Sequence, residues 1–234
     1  MLTAPAAVVT AASRGMGAAC ARALAERGYR LLLLARSDAV TSLARELGAE
    51  GLQGSVTEPH DLERAVEHAI GRYGRIDAVV HNTGHPARGD LADLTDDDWC
   101  SGVDLLFLSV VRLTRLVIPH MLKRGSGALV TLSTFGAEEP SLDYPVSSAL
   151  RAAVGAYGKL VADRYGPHGI RMNTVLPGFI DSYPVDPGIV RRIPARRPGR
   201  VAEVAATVAF LLSDDAGYIN GQNIRVDGGL GRSL

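Results

Sequence analysis

Short apolar runs alternate with amphipathic stretches along this chain from end to end. Residues 6–9, 30–35, 52–56, 77–81, 127–133, 170–176 and 223–226 read as strands. Most of these runs are aliphatic with no polar alternation, the pattern of strands buried on both faces. Between them lie helical patterns at 15–28, 39–47, 61–73, 146–165 and 201–212, with one more beginning after Thr95 and running to about Lys123. Thr95 followed by Asp96, Asp97 and Asp98 is a capping-box start, with a carboxylate at the third helical position. Regular βα alternation predicts an α/β fold: a single-domain, Rossmann-type, doubly wound parallel sheet with helices on both faces. No linker or internal repeat divides it, so residues 1–234 are expected to form one domain.

Composition narrows the choices. The 234 residues are 47% hydrophobic, enough to fill one sizeable core. Basic and acidic residues number 25 each and are scattered, which argues against nucleic acid or a membrane surface as partner. Cys20 and Cys100 lie far apart and outside any metal-ligand spacing, so a reduced cytoplasmic protein is the simplest expectation. The N-terminus lacks a signal-peptide pattern, and the tight aliphatic run at 31–35 is too short to span a bilayer.

The first strand and first helix are joined by Thr10-Ala11-Ala12-Ser13-Arg14-Gly15-Met16-Gly17. Small residues there let backbone approach a pyrophosphate, whose charge the helix N-terminus favours. His81-Asn82-Thr83-Gly84 follows the fourth strand and Pro177-Gly178-Phe179-Ile180-Asp181-Ser182 the sixth. Tyr218-Ile219-Asn220-Gly221-Gln222 and Val226-Asp227-Gly228-Gly229 close the chain. In these motifs, over almost its full length, the chain resembles the classical short-chain dehydrogenase/reductase family. The resemblance implies a dinucleotide cofactor held by Thr10, Ser13, Arg14, Gly15, Gly17, Asn82, Gly84, Pro177, Gly178, Ile180 and Ser182, with a lid around 178–200 and no metal. It also implies a homotetramer or homodimer joined through the helices around 103–123 and 146–165.

Charge decides which dinucleotide. NAD-selective relatives carry an acidic residue at the end of the second strand, where it repels a 2′-phosphate. Here Ala35 and then Arg36 stand there, with Arg14 in the loop. Two guanidinium groups suit a phosphate, so NADPH is expected over NADH. Ser55 stands where the family usually has an adenine-contacting aspartate.

The resemblance breaks at the catalytic positions. The family uses a tyrosine acid, a lysine four residues on, a serine and an asparagine. Matching the flanking motifs puts Ser147 at the tyrosine position, Arg151 at the lysine, Thr134 at the serine and Leu106 at the asparagine. Only two of the 25 basic residues are lysines, and neither Lys123 nor Lys159 falls at that place. Arg151 keeps a cation able to hold the nicotinamide ribose but cannot deprotonate. A serine hydroxyl donates a hydrogen bond but hardly a proton at neutral pH. Tyr144 is the candidate substitute acid, or a pocket-wall aromatic. Glu138, Glu139 and Asp143 are either acid/base groups or a solvated loop. His81 and His85 are weak metal-ligand candidates, and the basic run Arg191, Arg192, Arg196, Arg197 and Arg200 either meets an acidic substrate or is a solvated connector.

Three functions stay open. The first is NADPH-dependent reduction of a carbonyl, or a similar group, on a small apolar substrate in a pocket of Phe135, Tyr144, Phe179 and Tyr183, with a non-standard proton donor. The second is a catalytically silent nucleotide-binding subunit. The third is a non-redox enzyme similar to the halohydrin dehalogenases, which use an arginine as Arg151 would be used.

Overall fold

Seven strands pair into one fully parallel sheet in the order β3-β2-β1-β4-β5-β6-β7. They are β1 (Ala6–Thr10), β2 (Arg30–Ala35), β3 (Glu50–Gln53), β4 (Ala78–His81), β5 (Gly127–Leu132), β6 (Ile170–Pro177) and β7 (Asn223–Val226). This is a computed structural model, and it describes residues 4–232. The helices are α1 (Gly15–Glu26), α2 (Ala39–Leu47), α3 (Pro59–Tyr73), α4 (Asp96–Gly102), α5 (Ser109–Arg124), α6 (Pro145–Tyr165), α7 (Pro187–Arg192) and α8 (Val201–Leu212). A parallel strand must return by a crossover, and the helices making those crossovers cover both faces of the sheet.

Each central strand therefore buries both faces. Val9 and Leu33 pack with Leu24, Val40 and Val208 on the side of α1, α2 and α8. Their neighbours Val8 and Leu32 pack with Leu62, Val117 and Val161 on the side of α3, α5 and α6. A core on each face explains why these strands are aliphatic rather than alternating. The run Asp96–Arg124 is long and apolar enough to cross a membrane by length and composition. Its apolar residues have another use here, since Val110, Leu113, Val117, Ile118 and Met121 are buried against the sheet.

Several expectations need correction. The third strand is Glu50–Gln53, not 52–56. Gly54 still bonds the carbonyl of Ala35, but the Asp61 carboxylate takes the Ser55 N–H at 2.8 Å and turns the chain off the sheet edge. Proline at the first turn lets α3 start at residue 59. The first helix ends at Glu26, two residues before Gly28, which has φ +80°. The helix opened by Thr95 has the expected capping box with Asp98, but Val103–Leu108 is a π-helical turn that leads into α5. A short helix, α7, was not anticipated in the segment after β6; Asp186 caps it and Pro187 opens it.

β1 lies between β2 and β4, so the chain order reverses there. The C-terminal ends of these strands open a crevice between loops that diverge to either side, the usual ligand position in such sheets. The expected cofactor and catalytic residues come from the C-terminal ends of β1, β2, β4, β5 and β6, or from α6 and its N-cap beside them.

Candidate active site

Thr10 ties the two sides of the crevice together. Its hydroxyl donates to the carbonyl of Asn82 at 2.7 Å and accepts from the Asn82 N–H at 2.9 Å. The Asn82 amide in turn donates to the carbonyl of Ala11 at 3.2 Å. Ala11 has φ +46° and Gly15 φ +56°, a left-handed geometry that suits glycine and strains alanine. A Cβ at Gly17 would lie 2.4 Å from the Ala11 carbonyl and 2.7 Å from the Asn82 amide nitrogen, so only glycine closes this loop. Arg14 is the extended N-cap of α1, no side chain caps it, and the first turn carries no acid. A cradle with free backbone donors and a positive helix end fits a pyrophosphate. Ser13 belongs to the same loop, and Ser182 packs over Gly15, with its Cβ 3.6 Å from where a Cβ on Gly15 would be.

The end of β2 fits a phosphate better than a bare ribose. Arg36 is exposed, its guanidinium 3.9 Å from where a Cβ on Gly84 would sit. Neither Arg36 nor Arg14 enters an ion pair among the described residues. On the far wall, Pro177 ends β6 and the Gly178 N–H bonds the carbonyl of Val226 at 3.0 Å. A Cβ on Gly178 would lie 2.8 Å from the Asp227 Cα, so glycine is required for β6 and β7 to end side by side. Ile180 is buried and bridges Gly199, which pins the two ends of the segment carrying α7.

Arg151 is the central observation of the catalytic wall. It rises from α6, is 8% exposed, and donates from Nη1 to the Leu132 carbonyl at 2.8 Å. Its Nη2 reaches the Thr83 hydroxyl and the Gly84 carbonyl, each at 3.4 Å. All three partners are neutral. Burial pushes its pKa down to about 10, so it remains a cation at neutral pH. A buried charge without a counterion is costly, which makes Arg151 the leading candidate for a functional residue on this wall. Ser147 lies one helical turn before Arg151 on the same face of α6 and is half-buried. Thr134, at the end of β5, accepts the Gly136 N–H at 3.4 Å and keeps a hydroxyl for a second partner. Among the described residues, the buried hydroxyls of Thr131 on β5 and Ser133 just past its end have no hydrogen-bond partner.

The other candidates separate. Tyr144 is the N-cap of α6, and the Arg88 guanidinium lies 4.6 Å from its ring centre. Glu138 and Glu139 are not a free acid/base pair. Glu138 accepts from Arg225 on β7, and Glu139 holds the backbone N–H of Arg232, so they tie the β5–α6 loop to the C-terminal segment. Asp143 closes a turn with Ser141. His81 is buried on Thr114 at 3.2 Å and pushed down to about 3 by loss of solvent. His85 instead meets Tyr183 at the mouth, ring centres 5.6 Å apart, so the two histidines are not brought together. Within the basic run, Arg197 and Arg200 both pair with Glu203, and Arg196 donates to the carbonyl of Arg191. Leu106 is fully buried in the π turn and contributes no polar atom. Sequence reasoning missed Thr83 as a partner of Arg151 and missed Arg88 altogether, since neither contact has a spacing signature.

Comparison with known proteins places this geometry. The family model for enoyl-(acyl carrier protein) reductase matches residues 10–231. The 3-oxoacyl-(acyl-carrier-protein) reductase FabG of Salmonella typhimurium is 33% identical over 234 aligned residues, covering 96% of each chain. Among solved structures, a variant of actinorhodin polyketide ketoreductase with NADPH superposes at a TM-score of 0.92 with 29% identity, over 98% of each chain. The L-sorbose reductase of Gluconobacter frateurii complexed with NADPH and L-sorbose gives 0.92 at 27%, over 99% of this chain and 98% of that one. With the glycine cradle, the crevice between β1 and β4 and these full-length matches in hand, the chain belongs to the short-chain dehydrogenase/reductase family of oxidoreductases.

Proposed function

We propose that this protein reduces a carbonyl or similar group on a small, largely apolar substrate, with NADPH as cofactor and without the family's tyrosine acid. Arg151 carries this reading, as an uncompensated cation held between the ends of β4 and β5. The relatives that bind NADPH in their solved structures share the whole fold, and Arg36 and Arg14 suit its 2′-phosphate. NADPH, once bound, would supply hydride to the carbonyl carbon.

The chain's own residues do the rest. Gly15 and Gly17 admit the pyrophosphate, Gly178, Ile180 and Ser182 close over it, and Asn82 and Gly84 shape the floor between. Arg151 holds ribose hydroxyls and stabilises negative charge growing on the carbonyl oxygen. The hydroxyls of Thr134 and Ser147 orient that oxygen by hydrogen bonds. Ser147 is too weak an acid to deliver the proton, which comes from solvent or from Tyr144. Losing a positioned general acid costs about 10²–10⁴-fold in rate, so slow turnover is expected. The segment 178–200 acts as the lid, with Phe179 and Tyr183 facing the pocket.

The test is loss of NADPH absorbance against a panel of ketones, quinones and imines, run beside direct measurement of NADPH binding. Tight binding with turnover of some panel member is expected. Tight binding with none would instead support a silent nucleotide-binding subunit, a reading favoured by buried Leu106, which offers no relay for a proton. Self-association through α5 and α6 accords with exposed Leu122 and Leu160 on those helices.

A further inference from the structure

Positive charge gathers at the mouth of this crevice, where Arg151, Arg88 and Arg14 all act on His85 and no carboxylate among the described residues enters an ion pair with Arg88 or Arg151. Arg88, on the segment after β4, lies on the Tyr144 ring at the start of α6. Three residues earlier, His85 meets Tyr183 from the segment after β6. Arg151 stands behind them, bonded only to neutral oxygens. Loss of solvent holds the His85 imidazole below its ordinary range, and Arg151, Arg88 and Arg14 push it further in the same direction. No carboxylate counteracts them. On the neighbouring segments Glu138 is paired with Arg225, while Asp90, Asp143 and Asp181 bond the Ala92 N–H, Ser141 and the Val201 N–H.

Arg14 and Arg36 lie on the cofactor's side, where its phosphates would neutralise them. Arg88 does not, since it rests on Tyr144, three residues before Ser147. A guanidinium stacked on an aromatic ring uses its face and leaves its N–H edge free for a planar, bidentate acceptor. That acceptor is a carboxylate. Phe135, after β5, and Phe179, after β6, lie with ring centres 5.6 Å apart and offer apolar surface between the segments that carry Tyr144 and Tyr183.

We propose that the substrate is an oxo acid, whose carboxylate is received by Arg88 and His85 at the mouth while its apolar body lies against Phe135 and Phe179. This rests on the reductase reading above. In the reaction the oxo carbon takes a hydride from NADPH and its oxygen takes a proton from solvent or a side-chain hydroxyl, giving a hydroxy acid and NADP⁺.

The test compares benzoylformate with its methyl ester. The ester is the more electrophilic ketone, so chemistry alone favours it. The wild-type protein should instead show kcat/KM at least tenfold higher for the acid. Arg88→Gln should collapse that ratio, chiefly by raising KM for the acid, and Arg45→Gln, at an exposed arginine in the last turn of α2, should leave it intact. Calorimetry on the NADP⁺-loaded protein gives a reading independent of turnover: benzoylformate should bind, and at least tenfold more weakly to Arg88→Gln. Preference for the ester, an acid-to-ester ratio indifferent to Arg88→Gln, or no binding of the acid each overturns the proposal. Arg88-dependent binding of the acid with no oxidation of NADPH would keep the anion site and sink the reductase reading.

Discussion

The two walls of the crevice differ in what they have kept. On the nucleotide wall, Thr10, Asn82 and Gly17 are locked together by hydrogen bonds and close approach. Ala11 takes a left-handed φ of +46° that favours glycine, so the loop geometry there is held at a backbone cost. On the catalytic wall α6 packs across β6 and Arg151 is pinned to the end of β5. In the proposed reading its side chains have changed chemistry, with Ser147 and Arg151 standing at the family's tyrosine and lysine positions. Backbone donors bind a pyrophosphate whatever the neighbouring side chains are, so that wall tolerates drift. A proton donor is one atom with one acidity, and Ser147 cannot stand in for a phenol. The proposed reading therefore makes cofactor binding and turnover separable in this molecule.

Arg151→Met tests that separation most severely. Turnover should fall by about 10²–10⁴-fold, because the cation beside the developing oxyanion is gone. NADPH should still bind, and the thermal midpoint should hold or rise, since a buried, uncompensated charge is replaced by an apolar side chain of similar length. A large drop in the midpoint would mean that Arg151 is structural.

Between the walls, His81 makes the fold sensitive to acid. Its folded pKa is about 3, depressed by burial, while the unfolded chain titrates near the ordinary 6.5. Stability is therefore full above pH 6.5 and is lost as pH falls towards 3, by up to ~1.4 kcal/mol per pH unit. Chemical unfolding followed from pH 7 to pH 5 should show this decline, and His81→Asn should flatten it.

On the nucleotide wall, Arg36→Ala should lower the preference for NADPH over NADH by about tenfold or more, the scale of one charge-assisted bond, as read from competitive binding. An unchanged preference would mean that Arg14 alone reads the phosphate. The smallest effect expected is from Ala11→Gly. It relieves a left-handed alanine but adds unfolded-state freedom, so denaturant unfolding should shift by less than ~1 kcal/mol while NADPH binding is retained.

Much of this was legible in the chain. β2, α2, α8 and β7 lie where the apolar patterns end them: β2 buries a continuous run, α2 and α8 bury one face each, and β7 packs Ile224 and Val226 partly against the same core. The glycine cradle was legible too, as close backbone approach demands small residues at fixed spacing. The edge strand β3 was displaced because it is short and a single carboxylate, Asp61, turns the chain away. The π turn at Val103–Leu108 leaves no mark in a helical pattern of apolar residues. Arg88 on Tyr144, Glu138 on Arg225 and Arg151 on Thr83 join segments 56, 87 and 68 residues apart, so tertiary folding alone creates them. The cap of α7, by contrast, was readable in Asp186-Pro187.

The most direct test of the central claim is isotopic. NADPH deuterated at its transferable position is incubated with the protein and a ketone substrate, and the product alcohol is analysed by mass and NMR. One deuterium on the carbinol carbon, formed by the chain that carries Ser147 and Arg151, is the predicted result. NADPH that binds but keeps its deuterium against every ketone, or an alcohol formed without label, would contradict the account.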